Sequence, residues 1–194
     1  MLRTINNVKK YFIIVLIFLS FCSCNKPEKK DKKIITDNFS LNVPFDMESV
    51  YHINDIAKVQ FQKPDEDLYF IVLQETKESF KNAIRLKSYT APQNLLGYFK
   101  VVTEHFDEIN EDFRVKDFVN TKINSCNAIV FSIYGKDLDN KKNTFYRYAL
   151  IEDDKNFYQI MSWTNINYKD KLISKMKGII YSFRSKSISR WSTN

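Results

Sequence analysis

The chain has 194 residues, of which 44% are hydrophobic and 15% aromatic, with a formal charge of +7 at pH 7 but only 3 glycines, 2 histidines and 3 cysteines. Gly97, Gly135 and Gly178 are too scattered for a glycine-rich phosphate loop, which excludes nucleotide binding of that kind, and two histidines leave little material for a triad or a zinc site. Residues 1–10, 25–33 and 184–194 each carry +3, leaving −2 for residues 34–183, so the central part has no net positive charge with which to build a nucleic-acid face.

In chain order, the basic leader (Arg3, Lys9, Lys10) precedes YFIIVLIFLSF, residues 11–21, apolar except for Tyr11 and Ser20. A membrane-crossing helix needs roughly 20 apolar residues, whereas this run has the ~7–15 residues of a signal-peptide core. It ends in FCSCN rather than in A-x-A. That arrangement resembles a bacterial lipoprotein signal, in which a small residue precedes a cysteine that receives diacylglycerol and becomes the mature N-terminus. Ser23 stands before Cys24. Cys22 has the better Leu19-Ser20 pair upstream, but Phe21 is bulky at its cleavage point, so Cys24 is the favoured lipid site and Cys22 the alternative. The resemblance implies a signal peptide over residues 1–23 and a lysine-rich tether over 24–36. It also implies a membrane-anchored protein of the bacterial envelope facing away from the cytoplasm, in the periplasm or at the cell surface. Two acyl chains hold a domain firmly where one does so only marginally. With Cys24 lipidated, Cys126 has no partner in the mature chain; with Cys22 lipidated, Cys24 can pair with it. Beside Ala128–Val130, Cys126 reads as a small buried hydrophobe.

Residues 37–184 form one domain, followed by a basic tail at 185–194. FSLNVP, AKVQFQ and LYFIVLQET read as strands, being rich in β-branched and aromatic residues between turn formers. A short helix is expected over Glu78–Leu86. In PQNLLGYFKVVTEHFDEI, residues Leu95, Phe99, Val102, Phe106 and Ile109 step by three and four, giving one apolar helical stripe. Pro92 suits its first turn, and Gly97 weakens it. Four further strands follow: FRVKDFVNTKI, NAIVFSIYGK, TFYRYALIED and NFYQIMSWT. The polar links GKDLDNKKN and DDKN join the last three, which favours antiparallel pairing. NYKDKLISKMKGIIYSF closes the domain as a helix with Leu172, Met176, Ile179 and Phe183 on its stripe. The class is α+β, an antiparallel β-sheet flanked by helices in an α/β/α sandwich.

Over roughly residues 37–184 this order resembles the PsbP family, on FSLNVP at the first strand, INSCNAIVFSI before the meander, FYQIMSW on the last strand and IIYSFR at the terminal helix. The family's usual glycine near INSCNA is replaced by Asn124-Ser125, and its Trp after the first strand's proline by Phe45-Asp46-Met47. The resemblance implies the fold, and the family's photosystem-associated members bind a membrane complex. Fold alone does not fix function.

Residues able to carry chemistry are sparse. His52 lies near Asp55 in a loop, and His105 follows Glu104 at the helix surface. Asp153-Asp154 and Glu111-Asp112 sit at element boundaries, where solvated or capping roles prevail. No catalytic residue, metal or cofactor is expected. Phe145, Tyr146, Tyr148, Phe157, Tyr158 and Trp163 crowd two neighbouring strands; covered on both faces they are core, and otherwise Tyr146, Tyr148 and Tyr158 form a candidate interface, since such residues concentrate in interface centres. The leading expectation is a non-enzymatic binding or assembly module, tethered to the membrane by its lipid and docking onto an envelope protein, with no nucleic acid or nucleotide as partner. A carrier of a small apolar or aromatic ligand is the second reading, and an enzyme using scattered carboxylates the third.

Overall fold

The structure is a computed structural model that describes residues 30–87, 90–104, 106, 110–137 and 141–187. Cys22, Cys24, residues 25–29 of the expected tether and His105 lie outside the described residues. The chain divides into the units Met1–Lys30 and Asp31–Asn194, of which the second carries the folded domain.

The frame of this domain is a seven-stranded antiparallel sheet. The strands are β3 (Glu48–Ser49), β4 (Val59–Lys63), β5 (Leu68–Thr76), β6 (Asn110–Ile123), β7 (Cys126–Asp137), β8 (Asn143–Glu152) and β9 (Asn156–Asn165). They lie in the order β3-β4-β5-β9-β8-β7-β6. Successive hairpins from β6 to β9 build the meander, and β5 closes on β9 with Thr76 opposite Asn156. Central strands of such a sheet are buried on both faces, so they read as continuous apolar runs rather than as alternation; in β8 every residue from Thr144 to Ile151 except Tyr146 is buried.

The sheet separates two cores. Helices α1 (Lys77–Lys87) and α2 (Leu95–Glu104) cover one face, with Phe80, Ile84, Leu95 and Tyr98 against Ile129, Phe131, Tyr148 and Phe157. Helix α3 (Lys169–Tyr181) covers the other, setting Leu172, Met176, Ile179 and Ile180 against Val130, Phe145, Ala149 and Ile160. The α+β class and the helix-flanked antiparallel sheet are therefore as the sequence implies.

Two local expectations are corrected. FSLNVP forms a strand, as expected, but its sheet neighbours lie where no strand was expected. Its strand β2 (Phe39–Val43) lies between β1 (Lys32–Ile35) and β10 (Arg184–Ser185) in a separate three-stranded sheet. Phe39, Leu41 and Val43 then share the α3-side core. Strand β1 falls within the stretch read as tether, and β10 spans the boundary between the stretches read as domain and as tail. Lys32-Lys33 and Arg184 hid both strands, because a lysine at the start of an edge strand keeps its charge in water while its backbone pairs. The second correction is α2, which begins at Leu95, not at Pro92. Asn94 is its N-cap, accepting the Gly97 backbone N–H at 3.0 Å, an arrangement that satisfies an otherwise unpaired donor of the first turn.

Asp153, expected at a solvated boundary, is buried. Its Oδ1 accepts the backbone N–H groups of Lys155 and Asn156 at 2.8 and 2.7 Å, and its Oδ2 accepts Tyr158 Oη at 2.6 Å and Ser185 Oγ at 2.7 Å. Burial opposes its ionisation, but these bonds prevail and hold its carboxyl below the usual range. One carboxylate thus closes the β8–β9 turn and fastens the small sheet to the large one. Cys126 is a buried free thiol, pushed up to about 11 by burial.

Candidate binding face

The tyrosine trio does not form one surface. In the antiparallel register Tyr148 lies opposite Met161 and Tyr158 opposite Ile151, and directly paired residues share a face. Tyr148 therefore points into the α1–α2 core and Tyr158 into the α3 core, where they are 1% and 0% exposed. Their hydroxyls are used internally. Tyr148 donates to Gln159 Oε1 at 2.6 Å, Gln159 Nε2 donates to Tyr98 Oη at 2.8 Å, and Tyr158 donates to Asp153. Burial pushes both tyrosines well above their ordinary ionisation range. Neither is available to a partner.

Tyr146 is different. It is half-buried, lies opposite Trp163 on β9, and Trp163 lies opposite Tyr69 on β5. The three rings form a ladder across three strands, with centroids 6.1 Å apart for Tyr146 and Trp163 and 5.4 Å for Trp163 and Tyr69, at interplanar angles of 30° and 17°. Offset stacking of this kind is favourable for aromatic pairs. All three keep part of their surface in solvent, and half-buried Met161 and Val115 lie on the same face. The α1–α2 side of the sheet thus ends in a pre-ordered apolar step of two tyrosines and a tryptophan. Sequence reasoning found Tyr146 but missed Tyr69, because only the pairing of β5 with β9 brings it to Trp163. The two segments are more than ninety residues apart, so no local periodicity joins them.

His52 is exposed on the β3–β4 loop, which Gln60 holds in place. Gln60 Oε1 accepts the Ile53 and Asn54 backbone N–H groups at 2.9 and 3.0 Å, and its Nε2 donates to the Asn54 carbonyl at 2.6 Å. Among the described residues no group of three His, Cys, Asp or Glu side chains converges. Nor is any helix of these residues long and apolar enough to cross a membrane.

The sheet, its hairpin meander, the two helices on one face and the third on the other define a PsbP-like α+β fold. Among solved structures the chain is similar to the cyanobacterial PsbP protein CyanoP of Synechocystis sp. PCC 6803, with a TM-score of 0.53 and 13% identity over 86% of this chain and 99% of that one. It is also similar to a protein from Bacteroides thetaiotaomicron, with a TM-score of 0.50 and 11% identity over 81% of this chain and 49% of that one. A third likeness is to LpqN of Mycobacterium tuberculosis, described as involved in cell envelope biogenesis, with a TM-score of 0.47 and 10% identity over 82% of this chain and 87% of that one. No protein-family model and no curated protein sequence matches the chain. At these identities the likeness is one of fold.

Proposed function

We propose that this protein is a non-enzymatic binding module of the bacterial envelope, anchored by lipid at Cys24 and docking onto another envelope protein through its aromatic ladder. The observation that carries the reading is the stacked Tyr69–Trp163–Tyr146 step. Tyr and Trp contribute disproportionately to binding energy because they present large area at small conformational cost. Stacking fixes these rings in advance, so little further ordering is needed when a partner covers them. The lipoprotein-like N-terminus supports the location, since it would hold the domain at a membrane face where a diffusing partner is met in two dimensions.

The test is photo-crosslinking in cells of the full-length chain, with the reactive residue at Tyr69 or Tyr146 and, as a control, at Tyr51, which is 85% exposed on the β3–β4 loop. One envelope protein captured from the ladder positions in near-stoichiometric amount, and not from Tyr51, supports the reading. Equal capture from all three positions, or capture from none, removes it.

A further inference from the structure

The opposite face of the sheet carries an unrelated feature. Around Tyr134, on β7, positive side chains gather where the α3-side core ends. Arg114 on β6 lies directly opposite Tyr134, and Lys116 lies opposite the next inward-facing residue of β7, Ser132. The Lys116 and Lys169 ammonium groups each sit 5.2 Å from the centre of the Tyr134 ring. Among the described residues, neither Arg114 nor Lys116 is in an ion pair.

Arg147 lies on the same face of β8, beside Ser132 in the register. It is only 7% exposed. Its Nη1 donates to Ser132 Oγ at 2.8 Å, which turns the guanidinium towards β7, the strand of Tyr134. Its Nε finds no acceptor, and among the described residues no carboxylate pairs with it. Burying a cation without a counter-ion is costly. On the same face is a groove of about 340 Å3 lined by Arg114, Lys116, Tyr134, Lys136 and Asn143, together with Asp112. That volume is within the ~300–1,000 Å3 of small-molecule sites.

We infer that this groove binds the phosphoryl group of a small phosphate ester, held between Arg114 and Lys116, with the buried Arg147 on the same sheet face adding to the positive potential there. A guanidinium grips phosphate oxygens in pairs, and an ammonium adds a point charge. The Tyr134 ring offers an apolar wall, and the exposed Asn143 side chain offers hydrogen bonds, for the rest of the ester. The same phosphoryl chemistry is presented by a free sugar or glycerol phosphate and by a phospholipid headgroup. The groove is on the face opposite the aromatic ladder and does not depend on the docking reading.

The test titrates the full-length protein in non-ionic detergent by calorimetry at constant ionic strength, with three probes: glycerol 3-phosphate, dihexanoyl phosphatidylglycerol and dihexanoyl phosphatidylcholine. Saturable binding of glycerol 3-phosphate supports the site with a free phosphate as its source. Saturable binding of the phosphatidylglycerol alone supports it with a lipid headgroup. In either case the Arg114→Gln, Lys116→Gln double variant, whose changes are at exposed positions that do not endanger folding, is expected to bind about tenfold more weakly or worse. A Lys81→Gln, Lys100→Gln control variant on α1 and α2 should bind unchanged. Absence of saturation by every probe overturns the proposal, and so does equal affinity in the double and control variants.

Discussion

Gly97 shows how a residue that weakens a helix by propensity can be required by packing. Its position in the first turn of α2 brings the chain against Pro92, and a Cβ added there would stand 1.8 Å from the Pro92 carbonyl oxygen. Backbone on both sides leaves no flexible end to give way, so Gly97→Ala is expected to destabilise the domain by about 2 kcal/mol or more. An unchanged urea midpoint would refute this. The β6–β7 turn has the opposite balance. Asn124 and Ser125 have φ of 46° and 75°, the left-handed pair that a two-residue hairpin demands, in which Asn-Gly is favoured. Asn124 tolerates the conformation and repays it, since its Nδ2 donates to the carbonyls of Phe183 at 2.6 Å and Tyr181 at 3.0 Å. Ser125 meets the strain with its Cβ. Ser125→Gly should therefore raise stability by about 0.5–1 kcal/mol, read as a higher urea midpoint at unchanged slope.

At the scale of elements, α3 is fastened by charge as well as by its apolar stripe. Glu66, in the short 3-10 turn between β4 and β5, meets Lys175 at 2.8 Å, Lys171 at 3.0 Å and Lys63 at 3.3 Å, while Asp46 meets Lys63 at 2.6 Å and Lys175 at 3.5 Å. Burial disfavours the ionised Glu66, but the three lysines outweigh it and lower its carboxyl from the ordinary 4.5 to about 2. A carboxylate lowered in the folded state stabilises fully above its ordinary value and loses that contribution as the pH falls towards its folded one. Glu66→Gln should cost roughly 1–2 kcal/mol at pH 7 after solvent screening of the lysines. The difference from the parent chain should shrink between pH 4.5 and 2. Urea unfolding at about pH 7, 4 and 2.5 checks this, and a difference independent of pH would refute it.

For the whole molecule, the two faces of the sheet have separate characters: a stacked aromatic step on the α1–α2 side and a cationic groove around Tyr134 on the α3 side. The anchoring expectation belongs to this scale too. Cys24→Ala should leave an unprocessed precursor without acyl label. Label persisting in that variant, and lost in Cys22→Ala, would move the lipid site to Cys22.

What the sequence by itself determined is local in origin. Helical stripes such as Leu172, Met176, Ile179 and Phe183, strands such as LYFIVLQET, and turns such as DDKN follow from periodicity and backbone preference within a few residues. They were sufficient for the α+β class and for the likeness to the PsbP family. Only the tertiary structure decided which faces those elements present. A shift of one residue in register exchanges core for surface, so whether Tyr146, Tyr148 and Tyr158 are one patch or three different sites could not be read along the strand. The strands β1 and β10 were illegible for a related reason: they exist because β2 has two free edges to pair, and nothing in KKII or RS announces it. The same holds for Tyr69 beside Trp163, a pair that joins strands distant in the chain and is selected by the free energy of burying the two cores together.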